Sequence, residues 1–458
     1  MLRIPRHPRL YSYMTQKPPV SPLITIIGAT GTGKSQLAVS LAKRYNGEII
    51  NGDAMQLYAG LPVITNKITT EEQQGVPHHL LGCIGLHEQT WVVGTFVKKA
   101  LATIDEIRSR GKLPILVGGT HYYTQSLLFE DRLAEEDEGE QQSKFVPDTA
   151  EKWPVLQQPT HLILEELKKV DPVMAERWHP NDRRKIQRSL EIYLQTGKKA
   201  SEIYAEQRLR KQEEADATPI STTRFPTLLF WVHADADALQ ARLDKRVDTM
   251  LQHGLLEEVE TLNDFQANEV ANGRSIDETR GIWVSIGYKE FKAYSKARQN
   301  PDMAAAQLEK LHAEAVERTN IATRQYAKRQ LRWIRIKLVN ALADARVSNN
   351  LYLLDGSDVS SFNQAVVEPA CDLTAQYLQG NPMPEPTSMS STAETMLTPK
   401  RGYDLAATPE KWTKRQCEIC GVTCVTEEQW GLHVKSKAHR KLMSKRKAEQ
   451  QRQNGERS

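Results

Sequence analysis

Short apolar runs alternate with helix-forming segments along much of the chain. Leu23–Ile27 is one such run, and residues 48–51, 114–117 and 228–232 are others. Runs of this length that are rich in Ile, Leu and Val predict strands that are buried on both faces. Because they alternate with helical segments, they predict an α/β core built on a parallel sheet.

Between the third and fourth predicted strands the pattern changes. An acidic, Gln-rich stretch is followed by helical segments such as residues 182–196, in which Ile186, Leu190 and Tyr193 recur on one face. This spacing predicts a mostly helical insertion in the α/β core.

A glycine-rich loop joins the first predicted strand to the first predicted helix. It matches the pattern G-x-x-x-x-G-K-[ST], which directs backbone N–H groups and a helix N-terminus at phosphate oxygens. Lys34 would neutralise a terminal phosphate, and Ser35 would ligate Mg²⁺. The loop predicts a bound di- or triphosphate without indicating which one. Its positions are Gly28, Ala29, Thr30, Gly31, Thr32, Gly33, Lys34 and Ser35.

An acidic residue follows the second predicted strand. Asp53 would lie near the carboxyl edge of the sheet, where α/β proteins bind their ligands. That position makes it a candidate general base. A helix cap and a metal ligand are alternative roles.

The cysteines do not form the pattern of a disulfide framework. Cys417 and Cys420 are followed by His433 and His439 in the spacing C-x₂-C-x₁₂-H-x₅-H, which is typical of tetrahedral zinc. Val425, Trp430 and Leu432 would supply the small core of this module, and Cys424 would be a bystander thiol. A metal site in a long chain with otherwise isolated cysteines indicates a reducing compartment.

Charge is distributed unevenly, although the formal net charge is only +4. No Asp or Glu precedes Glu48, and an Arg-bearing, acid-free start resembles a mitochondrial targeting segment. A disordered basic tail is the alternative. Because Met14 offers a second start, we expect mitochondrial and cytoplasmic forms, and the basic end of the chain could add a nuclear signal. No apolar run reaches the ~20 residues that span a bilayer, so no membrane is expected.

The predicted fold class is α/β, a P-loop parallel-sheet core with a helical insertion domain and a small C-terminal zinc finger. A stretch rich in Pro, Ser, Thr and Met predicts a linker before the finger. The predicted parts are a targeting segment (1–20), the first part of the core (21–130), the insertion (131–223), the second part of the core (224–370), the linker (371–411), the finger (412–445) and a basic tail (446–458).

Several further motifs occur in a fixed order. Together with the P-loop they resemble those of the tRNA dimethylallyltransferase (tRNA isopentenyltransferase) family, in its eukaryotic form with a C-terminal zinc finger. They are residues 53–58 (DAMQLY), 65–67 (TNK), 77–79 (PHH), 117–123 (VGGTHYY), 181–184 (NDRR) with Arg188 and Glu191, 242–248 (RLDKRVD), 285–290 (SIGYKE) and 323–330 (TRQYAKRQ).

The resemblance implies a reaction. A dimethylallyl group would pass from dimethylallyl diphosphate to the exocyclic amine of the adenosine 3′ of the anticodon in tRNA, with release of diphosphate. Asp53 would be the base, Thr30 and Thr120 would lie near the reacting centre, and Arg246 would contact the diphosphate with Lys34. The resemblance also implies catalytic Mg²⁺, structural Zn²⁺ and a chain that acts as a monomer.

The resemblance also implies contacts with the tRNA anticodon stem-loop. A helix through Arg324 would place Lys328, Arg332 and Arg335 near one face, which suits phosphate contacts. Two positions depart from the family pattern: Ala54 stands where Ser is usual, and Val284 where Gln or Arg is usual. The implied tRNA-binding residues are Asp53, Ala54, Met55, Gln56, Arg184, Lys185, Arg188, Arg324, Lys328 and Arg332.

Three other functions account for parts of the sequence. A P-loop small-molecule kinase explains the loop and Asp53, but not the basic helix, the insertion or the finger. An adenylate isopentenyltransferase that makes cytokinin has little use for an RNA-type finger. A catalytically inactive RNA-binding protein does not need the intact P-loop and Asp53.

Overall fold

The computed structural model describes residues 17–129, 153–206, 209, 223–274, 276–400 and 412–455. Six strands form a parallel sheet in the order β3-β2-β4-β1-β5-β6, and two more form an antiparallel pair. The strands are β1 (Leu23–Ile27), β2 (Gly47–Asn51), β3 (His78–His79), β4 (Leu113–Val117), β5 (Thr227–His233), β6 (Leu351–Asp355), β7 (Trp412–Gln416) and β8 (Thr423–Thr426).

Helices cover both faces of the large sheet and build the smaller parts of the molecule. None of those in the described residues combines the length and the apolar character that a membrane crossing requires. The helices are α1 (Lys34–Arg44), α2 (Thr70–Gln73), α3 (Val93–Ser109), α4 (His121–Leu128), α5 (Thr160–Val170), α6 (Pro172–Arg177), α7 (Arg183–Thr196), α8 (Ala236–Gln252), α9 (Leu255–Ala271), α10 (Tyr288–Arg298), α11 (Ala305–Trp333), α12 (Val339–Asp344), α13 (Glu368–Gln379), α14 (Ser391–Leu397), α15 (Glu427–Lys435) and α16 (Lys437–Gly455).

The apolar character of β1 explains why the sheet has a core on each side. Successive side chains of a strand point to opposite faces. Leu23 and Ile27 therefore pack into a core with α3, α9 and α11, whereas Ile24 and Ile26 pack into a second core with α1 and α13. The predicted strand 23–27 is confirmed, and the other three predicted strands begin or end one residue away from the observed ones.

The chain divides into two compact units. The first contains the sheet and its helices, within residues 17–129 and 223–400. The second contains the described insertion residues and the C-terminal module. In the second unit, Ile163, Leu167, Met174 and Ile186 belong to a separate hydrophobic core formed by α5, α6 and α7.

The structure corrects the predicted linker over residues 371–400. Helix α13 continues to Gln379, and Ala393 and Leu397 of α14 are buried in the core beside β6. Arg335 fixes the second of these helices by donating to the carbonyl oxygens of Thr395 and Thr398, both at 2.6 Å. These contacts come from residues distant in sequence, so local composition did not reveal them. Residues 401–411 of the predicted linker lie outside the described residues, as do 1–16, 130–152 and 210–222.

Candidate active site and metal centre

The P-loop leaves the carboxyl end of β1 and leads directly into α1, which begins at Lys34 with Gly33 as its N-cap. Gly33 has φ of 90°, and a Cβ there would lie 2.5 Å from the ring of Phe362. A Cβ at Gly28 would lie 2.4 Å from the carbonyl oxygen of Val232 on β5. These two positions therefore require glycine. Nζ of Lys34 donates to the carbonyl oxygen of Ala29 at 2.6 Å, which folds the lysine back over the loop.

Asp53 and Thr120 meet because they follow the neighbouring parallel strands β2 and β4. The backbone N–H of Ala54 donates to Oγ1 of Thr120 at 3.0 Å, and Oδ1 of Asp53 accepts from the backbone N–H of Met55 at 3.0 Å. A Cβ at Gly119 would lie 3.0 Å from Oδ2 of Asp53. The carboxylate is thus held by a tight turn, with its second oxygen directed toward the loop after β4.

Arg246 reaches this site from α8. Its Nη1 donates to Oγ1 of Thr30 at 2.6 Å. One turn earlier on the same helix, Leu243 packs against the P-loop at Gly31. The structure therefore brings the predicted catalytic residues Asp53, Thr30 and Arg246 to one edge of the sheet. Arg242, one turn before Arg246 on the same helix, donates to the carbonyl oxygens of Gly356 and Ser357.

The surrounding protein shifts the pKa values of these groups. Burial lowers the pKa of Lys34 to about 8, although the neighbouring Asp53 opposes this shift. Burial also raises the pKa of Asp53, against the backbone N–H of Met55 and the charges of Lys34 and Arg246. The pKa of Arg246 falls to about 10 for the same reason and against the attraction of Asp53, so the guanidinium stays charged near neutral pH. The site therefore holds two cations and a carboxyl group whose affinity for a proton is increased.

Two residues of α11 complete the site and were not assigned roles from the sequence. Gln330 accepts from the backbone N–H of Thr30 at 2.8 Å and donates to the carbonyl oxygen of Gly119 at 2.9 Å, so it joins the P-loop to the loop after β4. The hydroxyl of Tyr326 is hydrogen-bonded to Thr120. Both residues belong to the recognised block 323–330, but nothing in their spacing indicated which groups they would contact.

A buried imidazole lies beneath the P-loop. His121 is the first residue of α4 and is 3% exposed. Burial and the nearby charge of Lys34 lower its pKa to about 3, while the backbone of Gly28 acts in the opposite direction. The ring is therefore neutral at physiological pH and adds no positive charge to the phosphate-binding site.

The residues expected to contact RNA are distributed over both units. In the first unit Lys328 and Arg332 are exposed, whereas Arg324 is paired with Asp244 at 3.2 Å. Arg335 is buried and bound to carbonyl groups, so it does not continue the basic stripe on α11. Gln56 donates to the carbonyl oxygen of Asn66.

In the second unit, α7 carries the other predicted RNA-contacting cations. Arg184 and Lys185 are exposed, and Asp182 accepts from the backbone N–H of Lys185 at 3.3 Å as the N-cap of the helix. Arg188 is paired with Glu191 at 3.1 Å. Lys185 also pairs with Asp182 at 2.9 Å, so the first turn of the helix presents two exposed cations, one of which is in an ion pair.

The four predicted zinc ligands form one cluster. Sγ of Cys420 lies 3.1 Å from Nε2 of His433, and Sγ of Cys417 lies 3.6 Å from Nδ1 of His439. All four ligand atoms lie within 4.8 Å of one another. A tetrahedral zinc with Zn–S of about 2.3 Å and Zn–N of about 2.0 Å separates its ligand atoms by about 3.5 Å, so the donor set fits this metal. Leu432 is 65% exposed and does not belong to the core of the module, whereas Cys424 and Thr426 are buried there beside the ligands Cys417 and His439.

The fold and the site define a P-loop α/β protein whose phosphate-binding loop faces a half-buried carboxylate and an arginine from a neighbouring helix. A model of the family described as IPP transferase matches residues 56–337, and the chain belongs to this family.

Named relatives match over almost the whole chain. The tRNA dimethylallyltransferase of Schizosaccharomyces pombe is 38% identical over 95% of this chain and 98% of its own length. The human tRNA dimethylallyltransferase is 35% identical over 93% of this chain and 86% of its own length. A solved structure of a eukaryotic dimethylallyltransferase acting on tRNA superposes with a TM-score of 0.71, at 32% identity, over 95% of this chain and 99% of that one.

Proposed function

We propose that the chain transfers a dimethylallyl group from dimethylallyl diphosphate to the exocyclic amine of the adenosine 3′ of the anticodon in tRNA. The observation that carries this proposal is the meeting of Lys34, Arg246 and Asp53 at one edge of the sheet. A phosphate-binding loop without a neighbouring carboxylate is compatible with many reactions. A carboxylate of raised pKa beside two cations is suited to accept a proton close to a diphosphate that leaves. Membership of the family and the names of the relatives support the same reaction.

In this reaction the amine nitrogen forms a bond to the allylic carbon of the donor as the bond from that carbon to the diphosphate oxygen breaks. The electron pair of the broken bond leaves with the diphosphate, whose added charge is met by Lys34 and Arg246. The proton of the amine passes to Asp53, and its raised affinity for a proton suits that role. Tyr326 and Thr120 position the turn that carries the carboxylate.

The P-loop also suits Mg²⁺. Ser35 is exposed at the first turn of α1, next to Lys34, and a hydroxyl together with diphosphate oxygens is an oxygen donor set of the kind this ion prefers. Bound there, Mg²⁺ would add positive charge to the leaving group.

RNA would be held by the exposed cations of both units. Lys328 and Arg332 on α11, and Arg184 and Lys185 on α7, are exposed, whereas Arg335 is buried and bound to carbonyl groups. The adenosine must leave its stack to reach Asp53, as base-modifying enzymes require. We further propose that the C-terminal module binds Zn²⁺ through Cys417, Cys420, His433 and His439 and adds affinity for tRNA.

The test is transfer of radiolabelled dimethylallyl from its diphosphate to unmodified tRNA, with AMP offered in parallel. Wild-type protein should label tRNA and leave AMP unlabelled. Asp53→Ala should lower the rate by at least about 10²-fold, the usual loss of a general base. Asp302→Ala removes an exposed carboxylate from the turn before α11 and should leave the rate unchanged.

Two results would contradict the proposal. Labelling of AMP in preference to tRNA would assign the chain to the adenylate-modifying branch. Transfer to neither acceptor, with folded and Mg²⁺-supplied protein that turns over ATP, would favour a small-molecule kinase.

A further inference from the structure

In the second unit, one arginine is surrounded by aromatic rings. The guanidinium of Arg177 lies 4.0 Å from the ring centroid of Trp412, 4.7 Å from that of Trp178 and 5.7 Å from that of Tyr204. Trp412 belongs to the zinc-binding module, whereas the other two rings belong to the helical insertion. A planar guanidinium stacks on aromatic faces more effectively than an ammonium does. Arg177 therefore joins two parts of the chain that are far apart in sequence.

Helix α6, which ends at Arg177, is fixed within the insertion. Met174 and Ala175 are buried in the insertion core. Asp171 is fully buried and accepts from the backbone N–H groups of Met174 at 3.1 Å and of Ser201 at 2.9 Å. The guanidinium is consequently presented from a short helix held at its start by an N-cap and along its length by packing.

Trp178 extends the arrangement to α7. Its Nε1 donates to Oγ of Ser189 at 2.8 Å, and Nζ of Lys185 lies 5.1 Å from the centroid of its ring. Trp178 therefore contacts both Arg177, which lies over the ring of Trp412, and Lys185, one of the exposed cations of α7.

In the C-terminal module, the residues that contact the insertion lie close in sequence to the metal ligands. Trp412 begins β7, and Nζ of Lys414 on this strand donates to the carbonyl oxygen of Ala175 at 3.2 Å. The strand ends one residue before Cys417. Because a small zinc module folds only around its metal, the position of β7 depends on the four zinc ligands.

We propose that Arg177 is a positioning residue, which couples the metal-dependent fold of the C-terminal module to the placement of the cations at the start of α7. The two parts then hold tRNA as one pre-formed surface instead of being ordered separately when tRNA binds. Pre-ordering of this kind improves affinity because less conformational entropy is lost on binding. The proposal rests on tRNA as the substrate.

The first experiment measures the Kd for tRNA, together with kcat and the KM for each substrate, in full-length variants. Arg177→Ala and Trp412→Ala should each weaken tRNA binding by about tenfold, within the range of a partly buried cation–π contact. The double variant should be no more than about twofold weaker than the weaker single variant, because both changes remove the same contact. The KM for dimethylallyl diphosphate and the kcat at saturating tRNA should stay within about twofold of wild type.

Two controls separate this role from general stability. Lys169→Ala removes an exposed cation of α5 that pairs only at the surface, and its tRNA affinity should equal that of wild type. Arg177→Lys keeps the charge and the fold but not the planar stack, so it should bind tRNA as weakly as Arg177→Ala. The proposal is overturned if Arg177→Ala behaves as Lys169→Ala does, or if the two single losses multiply in the double variant to about a hundredfold.

The second experiment needs neither tRNA nor catalysis, so it separates this proposal from that of the reaction. Amide hydrogen exchange in α6 and the first turn of α7 is measured in the zinc-loaded full-length protein and after chelation. In wild type, zinc removal should speed exchange in these helices. In Arg177→Ala, exchange should already be fast and should not respond to zinc. Exchange in α6 that is indifferent to zinc in the wild-type protein would overturn the coupling, even if the transferase reaction is established.

Discussion

Among single residues, Asp53 and Lys34 carry opposite charges in surroundings that disfavour both. The pKa of Asp53 is raised, so its carboxyl group holds a proton to higher pH than an exposed aspartate does. The pKa of Lys34 is lowered to about 8, so its ammonium group loses its charge at lower pH than an exposed lysine does. In the proposed reaction, proton removal requires an ionised Asp53 and phosphate binding requires a charged Lys34. Each requirement therefore limits the rate at one end of the pH scale.

The pH dependence follows from these signs. The kcat/KM for dimethylallyl diphosphate should rise with pH as Asp53 ionises, and should fall above about pH 8 as Lys34 is neutralised. In the complex, the negative diphosphate stabilises the charged lysine, so the alkaline fall of kcat should occur at higher pH than that of kcat/KM. Steady-state rates measured from acid through neutral to alkaline pH, on both sides of the pKa of about 8 of Lys34, give both profiles.

The residual activity of Asp53→Asn provides the control. Asn keeps an oxygen that can accept from the Met55 N–H, but it cannot take a proton. Its profile should lose the acidic rise and keep the alkaline fall. An alkaline fall at the same pH in kcat and in kcat/KM would mean that Lys34 does not contact the bound diphosphate.

Sequence predicted the residues of the site that lie within short motifs. Lys34 and Asp53 each follow a strand whose apolar run is visible in the sequence, and parallel strands bring such positions together. The role of Gln330 could not be predicted in this way, because Gln330 binds Thr30, which lies 300 positions earlier in the chain. A contact of that kind depends on how α11 crosses the sheet, which no local pattern specifies.

Among the elements, helix α11 shows where a periodic pattern fails. Its basic stripe was predicted from a constant angle per residue, and Lys328 and Arg332 are exposed as expected. After Trp333 the helix passes into a π-helical turn, Ile334–Leu338, which alters the angle between successive side chains. Arg335 lies in this turn and is 8% exposed, so it no longer shares the face of Arg332.

These cations should therefore separate into two functional groups. Lys328→Ala and Arg332→Ala should each weaken tRNA binding for any sequence and lower the slope of log K against log salt by about 1, as loss of one phosphate contact does. Arg335→Ala should leave the salt dependence unchanged. It should instead lower the free energy of unfolding by about 1–3 kcal/mol, because it leaves the carbonyl groups of Thr395 and Thr398 without their donor.

The measurements are tRNA binding across a series of salt concentrations and denaturant unfolding of each variant. Arg274→Ala, which removes an exposed cation from the loop after α9, is a suitable control for non-specific loss of charge. A salt slope that falls in Arg335→Ala as much as in Lys328→Ala would assign Arg335 to the RNA surface after all.

For the molecule as a whole, composition was a weaker guide than periodicity. Residues 371–400 combine Pro, Ser, Thr and Met in proportions typical of a linker, yet they fold onto the sheet through a few apolar side chains such as Leu397. The helical insertion was recognised because Ile186 and Leu190 repeat at helical spacing, and both are buried in its core. What the sequence did not reveal is that the described insertion and the C-terminal module form one compact unit.

Each unit has its own core and its own proposed ligand, and that predicts how the protein unfolds. Two units with separate cores favour two calorimetric transitions instead of one. Diphosphate with Mg²⁺ at about 100 times its Kd should stabilise the sheet-bearing unit by about 2.7 kcal/mol, and raise only that transition by roughly 5–10 °C. Chelation of zinc should lower only the transition temperature of the unit that contains the insertion and the C-terminal module. Lys34→Ala should abolish the response to diphosphate and leave the response to the chelator intact. A single transition that moves with both ligands would instead mean that the two cores unfold as one cooperative structure.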